Sequence, residues 1–548
     1  MNTSSHGDPL RPVLSVEQID VLRRFGDQRA ASAGDDLYRA GDERHDMFVV
    51  SSGLVGVISR FDGADVLVSH HTAGEVVGEL DLLTGQRSSF GARMLLDGSV
   101  LALDPEVIRR IVATAPDIGD LIVETFVARR ERLLEHESHA LQVAGCRHSR
   151  ASLALREYLV RNRLPHCWID EPAELARLRE LHGVTEDDLP TAIVGPAVLR
   201  AATPGSVADH LGLTASSLER RLFDMIVVGA GPAGLAAAVY GASEGLSTLT
   251  VESVAPGGQA GTSSRIENYL GFPSGVSGTD LTNMAITQAL KFGACFSTPG
   301  DVVSLSFEGD ALTVVLSDGT RLDARSVVAA TGARYRRLGI PRLEEFEGTS
   351  VYYAATEIEA RLVADRPAVI VGGGNAAGQA ALFLSKYCNP VTLVVRSHDL
   401  GASMSNYLAA RIAENPAIEV RCGTQVTELH GDRELRALTL AGPGGDEVCD
   451  TAALFSFIGA MPSSEWLVGL VETDDHGFVR TCRDLAADVA DRSRRGVGRR
   501  PFPYETSHPG VFAVGDLRAG SVKRVASAVG EGSAVVRSVH SHLAALPT

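Results

Sequence analysis

The sequence predicts a multi-domain protein: a β-roll with helical flanks, then a small α/β domain, then two larger α/β domains. Its 548 residues are enough for three to five packed units at about 100 to 200 residues each. Short β-like runs broken by glycines fill residues 13–139, and alternating strand and helix patterns follow. Two apolar runs further along each end in a glycine turn and a helix of small residues.

The composition limits the classes of partner. The chain is 45% apolar and 22% charged, as is usual for folded α/β proteins. Its formal charge of −17 opposes attraction to phosphate backbones, so no nucleic-acid partner is expected. The N-terminus, MNTSSHGDPL, lacks the basic and apolar regions of a leader, and no apolar run reaches membrane-spanning length. We expect a cytoplasmic protein without a membrane partner.

The cysteines and histidines predict no metal site. The seven cysteines contain no CxxC pair: Cys146, Cys167, Cys295, Cys388, Cys422, Cys449 and Cys482. Their spacing indicates neither a disulfide framework nor a zinc site.

The first 221 residues divide into three parts. Residues 1–12 are expected to be a flexible tail, and 13–139 the β-roll, ending in one long helix that begins near Pro105. Residues 140–221 alternate strand and helix, with a helix from Pro172 and a strand at Thr191 to Val194, and predict the small α/β layer domain.

The first glycine turn lies at the start of the C-terminal region. Strand Met225 to Val228 leads into Gly229-Ala-Gly231-Pro232-Ala233-Gly234, and the next strand ends in Glu252. Glycines allow the tight turn and the close approach of a pyrophosphate, and the acid can accept hydrogen bonds from a ribose. The helix N-terminus adds free amide donors. This pattern predicts a Rossmann-like dinucleotide site.

A second turn of the same kind begins at Ala368. The run Gly372-Gly-Gly374-Asn375-Ala376-Ala-Gly378 follows a strand, and the next strand, Val391 to Val395, ends in Arg396. An arginine there can pair with the 2′-phosphate of NADPH, whereas an acid would select NADH.

Five ordered motifs resemble the low-molecular-weight thioredoxin reductases. They are the first turn, Pro256-Gly-Gly258-Gln259, Ile266-Glu-Asn268-Tyr-Leu-Gly-Phe-Pro273, Ala330-Thr331-Gly332, and Gly510-Val-Phe-Ala-Val-Gly515-Asp516 with Lys523-Arg524-Val525-Ala526. The resemblance implies that FAD lies along these segments and NADPH along the second turn. It also implies a homodimer, with an NADPH domain (338–461) inserted between two parts of the FAD domain (222–337 and 462–548).

The redox cysteine pair of that family is missing. The matching stretch is Val351-Tyr-Tyr-Ala-Ala-Thr-Glu357, so disulfide chemistry cannot run through this position. The resemblance implies a thioredoxin-disulfide reductase, but it does not identify the acceptor, which would be a redox protein or a small molecule. A reductase of a ferredoxin- or flavodoxin-type carrier, and a nucleotide or redox sensor without turnover, are the alternatives.

Residues 140–221 resemble a degenerate thioredoxin or glutaredoxin domain. Cys146-Arg-His-Ser149 stands at the position of the usual redox pair, and Leu189-Pro-Thr precedes a strand. A helix starting just after Cys146 would lower the pKa of its thiol and make it a candidate catalytic residue. An inert thiol in a docking domain is the alternative.

Within residues 13–139 stand Gly34-Asp-Asp-Leu-Tyr-Arg-Ala-Gly41-Asp and Met47-Phe-Val-Val-Ser-Ser-Gly53. These segments resemble the cyclic nucleotide-binding domains. The phosphate cassette would run from Gly78-Glu79 to Arg87, with Glu79 on the ribose and Arg87 on the cyclic phosphate. Asp81 places a carboxylate where the family has a small neutral residue, which would weaken phosphate binding. Binding of a cyclic nucleotide and a purely structural or protein-sensing role are both open.

Overall fold

The computed structural model divides the chain into two compact units, residues 1–332 with 464–548, and residues 333–463. The described residues are 8–61, 64–79, 81–135, 141–146, 149–218, 221–263, 266, 269–308, 311–347, 349–353, 355, 357–402, 404–432, 434–486 and 498–546. No helix within these ranges is long and apolar enough to cross a membrane.

The N-terminal module, residues 13–139, is an antiparallel β-roll with flanking helices. Its elements are α1 Val16–Leu22, β1 Asp27–Ala31, β2 Asp36–Tyr38, β3 Met47–Phe61, β4 Ala64–His71, β5 Val76–Val77, α2 Asp81–Thr84, β6 Gly91–Leu103, α3 Pro105–Thr114 and α4 Pro116–Glu135. The strands pair in the order β1-β6-β3-β4. The prediction of one long final helix was wrong. The chain breaks at Ala115, because Pro116 disfavours a helical conformation in the residue before it and cannot donate a backbone hydrogen bond.

The middle module, residues 140–221, is a four-stranded sheet with helices. Its elements are β7 Leu141–Ala144, α5 Arg150–Arg161, β8 Cys167–Ile169, α6 Pro172–His182, β9 Thr191–Val194, β10 Ala197–Leu199 and α7 Pro204–His210. The order is β10-β9-β7-β8, with β7 parallel to β8 and antiparallel to β9. All four residues of β7 and of β9 are buried, including the polar residues Gln142 and Thr191.

The first glycine-turn domain completes the larger unit. Its elements are β11 Leu222–Phe223, β12 Met225–Val228, α8 Pro232–Ser243, β13 Thr248–Val251, α9 Gly258–Gly261, α10 Gly278–Lys291, β14 Cys295–Ser297, β15 Val302–Glu308, β16 Ala311–Leu316, β17 Arg321–Ala324, β18 Val327–Ala329 and, after the second unit, β29 Val511–Ala513 and α15 Val525–Leu543. A parallel sheet has the order β14-β13-β12-β18-β29, and a second sheet has the order β11-β17-β16-β15. Helices α8 and α15 cross closely, because a Cβ on Gly532 would lie 2.0 Å from the Ala233 carbonyl oxygen.

The second unit repeats the pattern. Its elements are β19 Ala333–Tyr335, α11 Leu343–Phe346, β20 Val351–Tyr352, α12 Glu357–Leu362, β21 Ala368–Val371, α13 Asn375–Leu384, β22 Val391–Val395, α14 Asn406–Ala413, β23 Ile418–Cys422, β24 Gln425–Gly431, β25 Leu435–Gly442, β26 Gly445–Asp450, β27 Ala453–Ser456 and β28 Ala460–Pro462. A parallel sheet runs β20-β27-β21-β22-β23, and a meander runs β24-β25-β26. Each unit therefore contains one parallel sheet in which a glycine turn follows a central strand.

Candidate functional site

The first glycine turn cannot accept side chains at two of its positions. Gly229 has φ +100°, and a Cβ there would lie 2.5 Å from the carbonyl oxygen of Ala330. A Cβ on Gly234 would lie 1.8 Å from the carbonyl oxygen of Gly229, in the turn itself. Gly231 caps α8, and Pro232 is its first residue, where a missing backbone N–H costs nothing. The turn is thus shaped for close backbone approach.

Glu252 closes the turn from the end of the neighbouring strand. Its Oε2 accepts a hydrogen bond of 2.8 Å from the backbone N–H of Ala230, and its Oε1 accepts one of 3.1 Å from Val254. The carboxylate is therefore held beside the turn, where the ribose of a dinucleotide is bound in Rossmann-like folds.

The loop before α9 packs directly on the turn. The N–H of Gly257 donates to the carbonyl of Ala230 at 2.8 Å. A Cβ on Gly258 would lie 2.9 Å from the Cα of Gly231. Gln259 follows as an exposed residue in the first turn of α9. The predicted contact residue Asn268 lies outside the described residues.

The C-terminal segment brings an acid to the same edge of the sheet. Gly515 has φ +69°, and its N–H donates to Oε2 of Glu531 at 2.8 Å. Next to it, Asp516 is half-buried, and loss of water raises the pKa of its carboxyl. Lys523 donates to the backbone carbonyl of Asp516 at 2.8 Å. Arg524 is then the N-cap of α15.

The predicted contacts of the first site therefore converge on one sheet edge. Four segments reach it from strand ends or helix starts: the turn with Ala233 in the first turn of α8, Thr331 and Gly332 after β18, Gly515 and Asp516 after β29, and Val525 and Ala526 at the start of α15. This is the carboxyl edge of parallel strands, where open α/β sheets bind ligands.

Sequence reasoning missed one anchor of this site. Glu531 on α15 is buried and also accepts two hydrogen bonds from Arg518, at 2.6 and 3.1 Å. It therefore fixes the Gly515 backbone from the buried and mostly apolar face of α15, which also carries Ser538 and His542. An acidic residue on such a face was the available signal, since carboxylates are seldom buried without a partner.

The second glycine turn has the same construction. Gly374 is the N-cap of α13, and a Cβ on Gly372 would lie 2.5 Å from the carbonyl oxygen of Phe457. Asn375 accepts a hydrogen bond of 2.8 Å from the N–H of Ser405 through its side chain, and Ala376 is exposed in the same helical turn. Arg396 follows β22, is exposed, and forms no ion pair with any described residue.

Tyrosines occupy the stretch where the family's cysteines would stand. Tyr352 is buried, donates to the carbonyl of Thr349 at 2.6 Å and packs against the Phe455 ring. Tyr353 donates to Glu347, which raises the pKa of Tyr353 together with burial, the larger cause. Both hydroxyl groups therefore have partners within the second unit.

Cys146 lies just outside a helix. Helix α5 begins at Arg150, with Ser149 as its N-cap, so three residues separate Cys146 from the first residue of the helix. The backbone N–H of Cys146 donates to Oγ of Ser152 at 3.1 Å, and the side chain is half-buried. Arg147 and His148, expected to activate the thiol, lie outside the described residues.

The phosphate cassette of the N-terminal module is held by pairs of its own. Arg87 forms an ion pair of 2.6 Å with Glu43. Burial raises the pKa of Glu79 to about 7. The unexpected Asp81 is buried and lies 3.1 Å from Nε2 of His45, whose pKa is raised because the Asp81 contact outweighs burial. His45 was not among the predicted residues. Because the Asp81 carboxylate is paired with His45, it repels a phosphate less.

Comparison with known proteins matches this arrangement. Residues 223–532 match the family model of pyridine nucleotide-disulphide oxidoreductases, and 28–115 match that of cyclic nucleotide-binding domains. Over 326 residues the chain is 34% identical to a thioredoxin reductase of Streptomyces clavuligerus, covering 59% of this chain and 94% of that protein. A Bacillus subtilis thioredoxin reductase is 32% identical over 328 residues, covering 59% and 96%. A solved thioredoxin reductase of Lactococcus lactis covers 59% of this chain and 100% of its own, with 26% identity and a TM-score of 0.47.

Proposed function

Because this chain belongs to the pyridine nucleotide-disulphide oxidoreductase family, we propose that it is an NADPH-dependent FAD flavoprotein reductase without a flavin-proximal cysteine pair. Thioredoxin reductases, its relatives, use FAD and NADPH. One observation carries the proposal: two separate parallel sheets each place a glycine turn and a helix N-terminus after a central strand. A chain that held a single dinucleotide would need only one such arrangement.

The residues of the first turn fit FAD. Gly229 and Gly258 lie where added side chains would meet backbone, at 2.5 and 2.9 Å, so the turn remains open to a pyrophosphate. Glu252 would hold the adenosine ribose, and Asp516 the ribityl hydroxyls. The start of α15 at Val525 would offer its amides to the flavin edge, where a helix N-terminus stabilises negative charge.

The residues of the second turn fit NADPH. Gly372 keeps the backbone open, and the guanidinium of Arg396 is exposed and free of carboxylate partners among the described residues. We propose that it pairs with the 2′-phosphate, a charge-assisted contact. When both cofactors are bound, NADPH supplies a hydride that FAD accepts.

We propose that the N-terminal module regulates the first site through the middle module. The backbone N–H of Arg87 donates to the carbonyl of Leu211 at 3.0 Å. Asn162, also in the middle module, donates to the carbonyl of Val254 at 3.0 Å. The N–H of Val254 in turn donates to Glu252. Hydrogen bonds thus join the cassette to the middle module, and the middle module to the loop that carries Glu252.

Calorimetry with cyclic AMP and cyclic GMP tests this regulation. A ligand phosphate must displace Glu43 from Arg87, so Glu43→Gln should bind the nucleotide more tightly and Arg87→Ala should not bind it. Arg93→Ala, which removes an arginine paired with acids elsewhere in the module, is the matched control. Absence of heat with either nucleotide, in the wild type and in Glu43→Gln, would remove cyclic nucleotides as the regulator.

The acceptor is tested by NADPH oxidation with purified carriers. A thioredoxin-type disulfide protein requires a thiolate, for which we propose Cys146, whereas a ferredoxin-type carrier requires none. Cys146→Ser should therefore abolish only the disulfide activity, and Cys449→Ser should change neither. A ferredoxin-type carrier is the second candidate for the electron acceptor, because the stretch from Val351 to Glu357 contains no cysteine. Oxidation of NADPH with no acceptor other than oxygen would count against both.

We further propose that the protein is a cytoplasmic homodimer. In each chain the proposed domain boundaries are 13–139, 140–221, 222–337 with 462–548, and 338–461. Light scattering of the FAD-loaded protein tests the dimer, since a mass near that of one 57.8 kDa chain would contradict it.

A further inference from the structure

A cavity of about 510 Å³ lies where the N-terminal module, the middle module and the first glycine-turn domain meet. Helices α2 and α4 line one side of the cavity, and the segment after α5 lines a second. Helix α10 and Pro256 line the third side. Its volume is within the range of about 300 to 1,000 Å³ that is typical of small-molecule sites. Pro256 belongs to the loop that packs on the first glycine turn. No residue of the first glycine turn lines the cavity.

Most basic groups around this cavity are already neutralised. Arg163 pairs with Glu131 at 2.6 Å, and Arg161 pairs with Glu157 at 3.4 Å. Lys291 pairs with Asp120. The Arg163 and Lys291 pairs join different modules, and all three pairs leave little charge for a ligand.

Arg130 is different from these residues. Its guanidinium lines the cavity and donates one hydrogen bond, to the carbonyl of Arg163 at 3.1 Å, and has no ion-pair partner among the described residues. Burial lowers the pKa of Arg130 to about 10, because the loss of water outweighs the attraction of the Asp81, Glu79 and Glu131 carboxylates. A charge in this state is stabilised when an anion binds beside it.

The rest of the lining has two characters. Val127, Leu213, Met284, Ile286 and Phe296 supply apolar wall. The carboxylate of Asp280 and the amides of Asn283 and Gln288, all on α10, supply polar groups that can accept from hydroxyl or amino donors. A ligand that matches Arg130 and both parts of this lining would have an anionic end, an apolar or aromatic body and a few hydrogen-bond donors.

We propose that this cavity is a binding site for a small organic anion, a phosphate monoester or a carboxylate, whose charged group pairs with Arg130 and whose body packs on the α10 side. The site depends on neither the flavin chemistry nor the cyclic nucleotide. Since three modules form its walls, ligand binding would stabilise their association.

The test uses the full-length FAD-loaded protein with saturating NADP⁺ and cyclic AMP, so that the other proposed sites are filled. The probe is 8-anilinonaphthalene-1-sulfonate, an aromatic anion that fluoresces in apolar surroundings. We expect one equivalent to bind the wild type. Arg130→Gln should weaken binding about tenfold, the loss of one charged hydrogen bond. Arg110→Gln, an exposed arginine of α3 that does not line the cavity, should bind as the wild type.

A second variant separates a lost site from a misfolded one. Met284→Trp leaves every charge in place and fills the cavity from its half-exposed wall, so it should abolish dye binding while keeping the wild-type melting temperature. Displacement of the dye by AMP or by salicylate then distinguishes a phosphate ligand from a carboxylate ligand. Wild-type dye affinity in both Arg130→Gln and Met284→Trp would overturn the proposal.

Discussion

The two glycine turns each follow a parallel strand and end in a glycine N-cap, but they differ in the residue that ends the neighbouring strand. At the first turn, Glu252 is fixed by two backbone N–H groups, one of them within the turn. At the second, Arg396 is exposed and has no ion-pair partner among the described residues. In the proposed function, each turn accepts a pyrophosphate, and the strand-end residue sets which further group of the dinucleotide is recognised.

The difference between Glu252 and Arg396 suggests two ways of selecting a dinucleotide. A carboxylate already ordered beside the turn loses little freedom when it accepts ribose hydroxyls. An exposed arginine must be ordered by its ligand, but it gains a charge-assisted contact that only a 2′-phosphate offers. Variants at the turns and at the strand ends can therefore test the contribution of each part separately.

The largest effect is expected from the turn itself. Gly229→Ala puts a Cβ 2.5 Å from the Ala330 carbonyl oxygen at a positive φ. We expect a cost of about 3 kcal/mol, or about a hundredfold in FAD affinity, and a protein purified without colour. Gly245→Ala is the matched control, because Gly245 also has a positive φ but open space around it. Equal flavin content in both variants would show that the close contact is irrelevant.

The second turn should lose selectivity when its arginine is removed. Arg396→Gln deletes the charge proposed for the 2′-phosphate, so the KM for NADPH should rise about thirtyfold, equivalent to about 2 kcal/mol. The KM for NADH should stay the same, because NADH lacks that phosphate. Arg411→Gln, an exposed arginine on α14, serves as control. A parallel rise for both coenzymes would argue against a phosphate contact.

At the first turn the strand-end residue should matter less. Glu252→Gln can still accept from Ala230 through its amide oxygen but loses the negative charge, so FAD should bind about tenfold more weakly. Fluorescence titration of the apoprotein with FAD measures this loss. Glu244→Gln, at the end of α8, should leave the FAD affinity unchanged. An affinity for FAD unaltered in Glu252→Gln would mean that the carboxylate only braces the turn.

The smallest effect on the dinucleotide sites is expected from Glu79→Gln in the β-roll, which should change stability and not flavin content. Burial raises the pKa of Glu79 from 4.5 to about 7. The folded state therefore keeps its proton while the unfolded chain ionises, and stability falls as pH rises from 4.5 through 7. Glu79→Gln avoids this loss. Calorimetric melting should show the variant gaining on the wild type between these pH values, with unchanged flavin content; a constant difference would contradict the assignment.

Much of the first site follows from local pattern. The strand Met225–Val228, the turn and the helix after it are consecutive in the chain, so sequence alone predicts them. The position of Glu252 follows from the next strand. Arg396 follows in the same way at the second site. These contacts need only short separations in sequence.

The remaining features depend on contacts between distant residues. Glu531 reaches Gly515 across sixteen positions, and Arg87 meets Leu211 from another module. His45 pairs with Asp81 inside the β-roll. No periodicity or motif encodes such pairs, because they arise only when separate elements pack.

The central claim is that NADPH bound at one turn reduces FAD bound at the other, and anaerobic titration of the purified yellow protein with NADPH tests it most directly. The account predicts rapid loss of the visible flavin absorbance with about one equivalent of NADPH, because a hydride carries both electrons that a flavin accepts. A flavin that stays oxidised under excess NADPH would contradict the account and leave the chain a nucleotide-binding sensor.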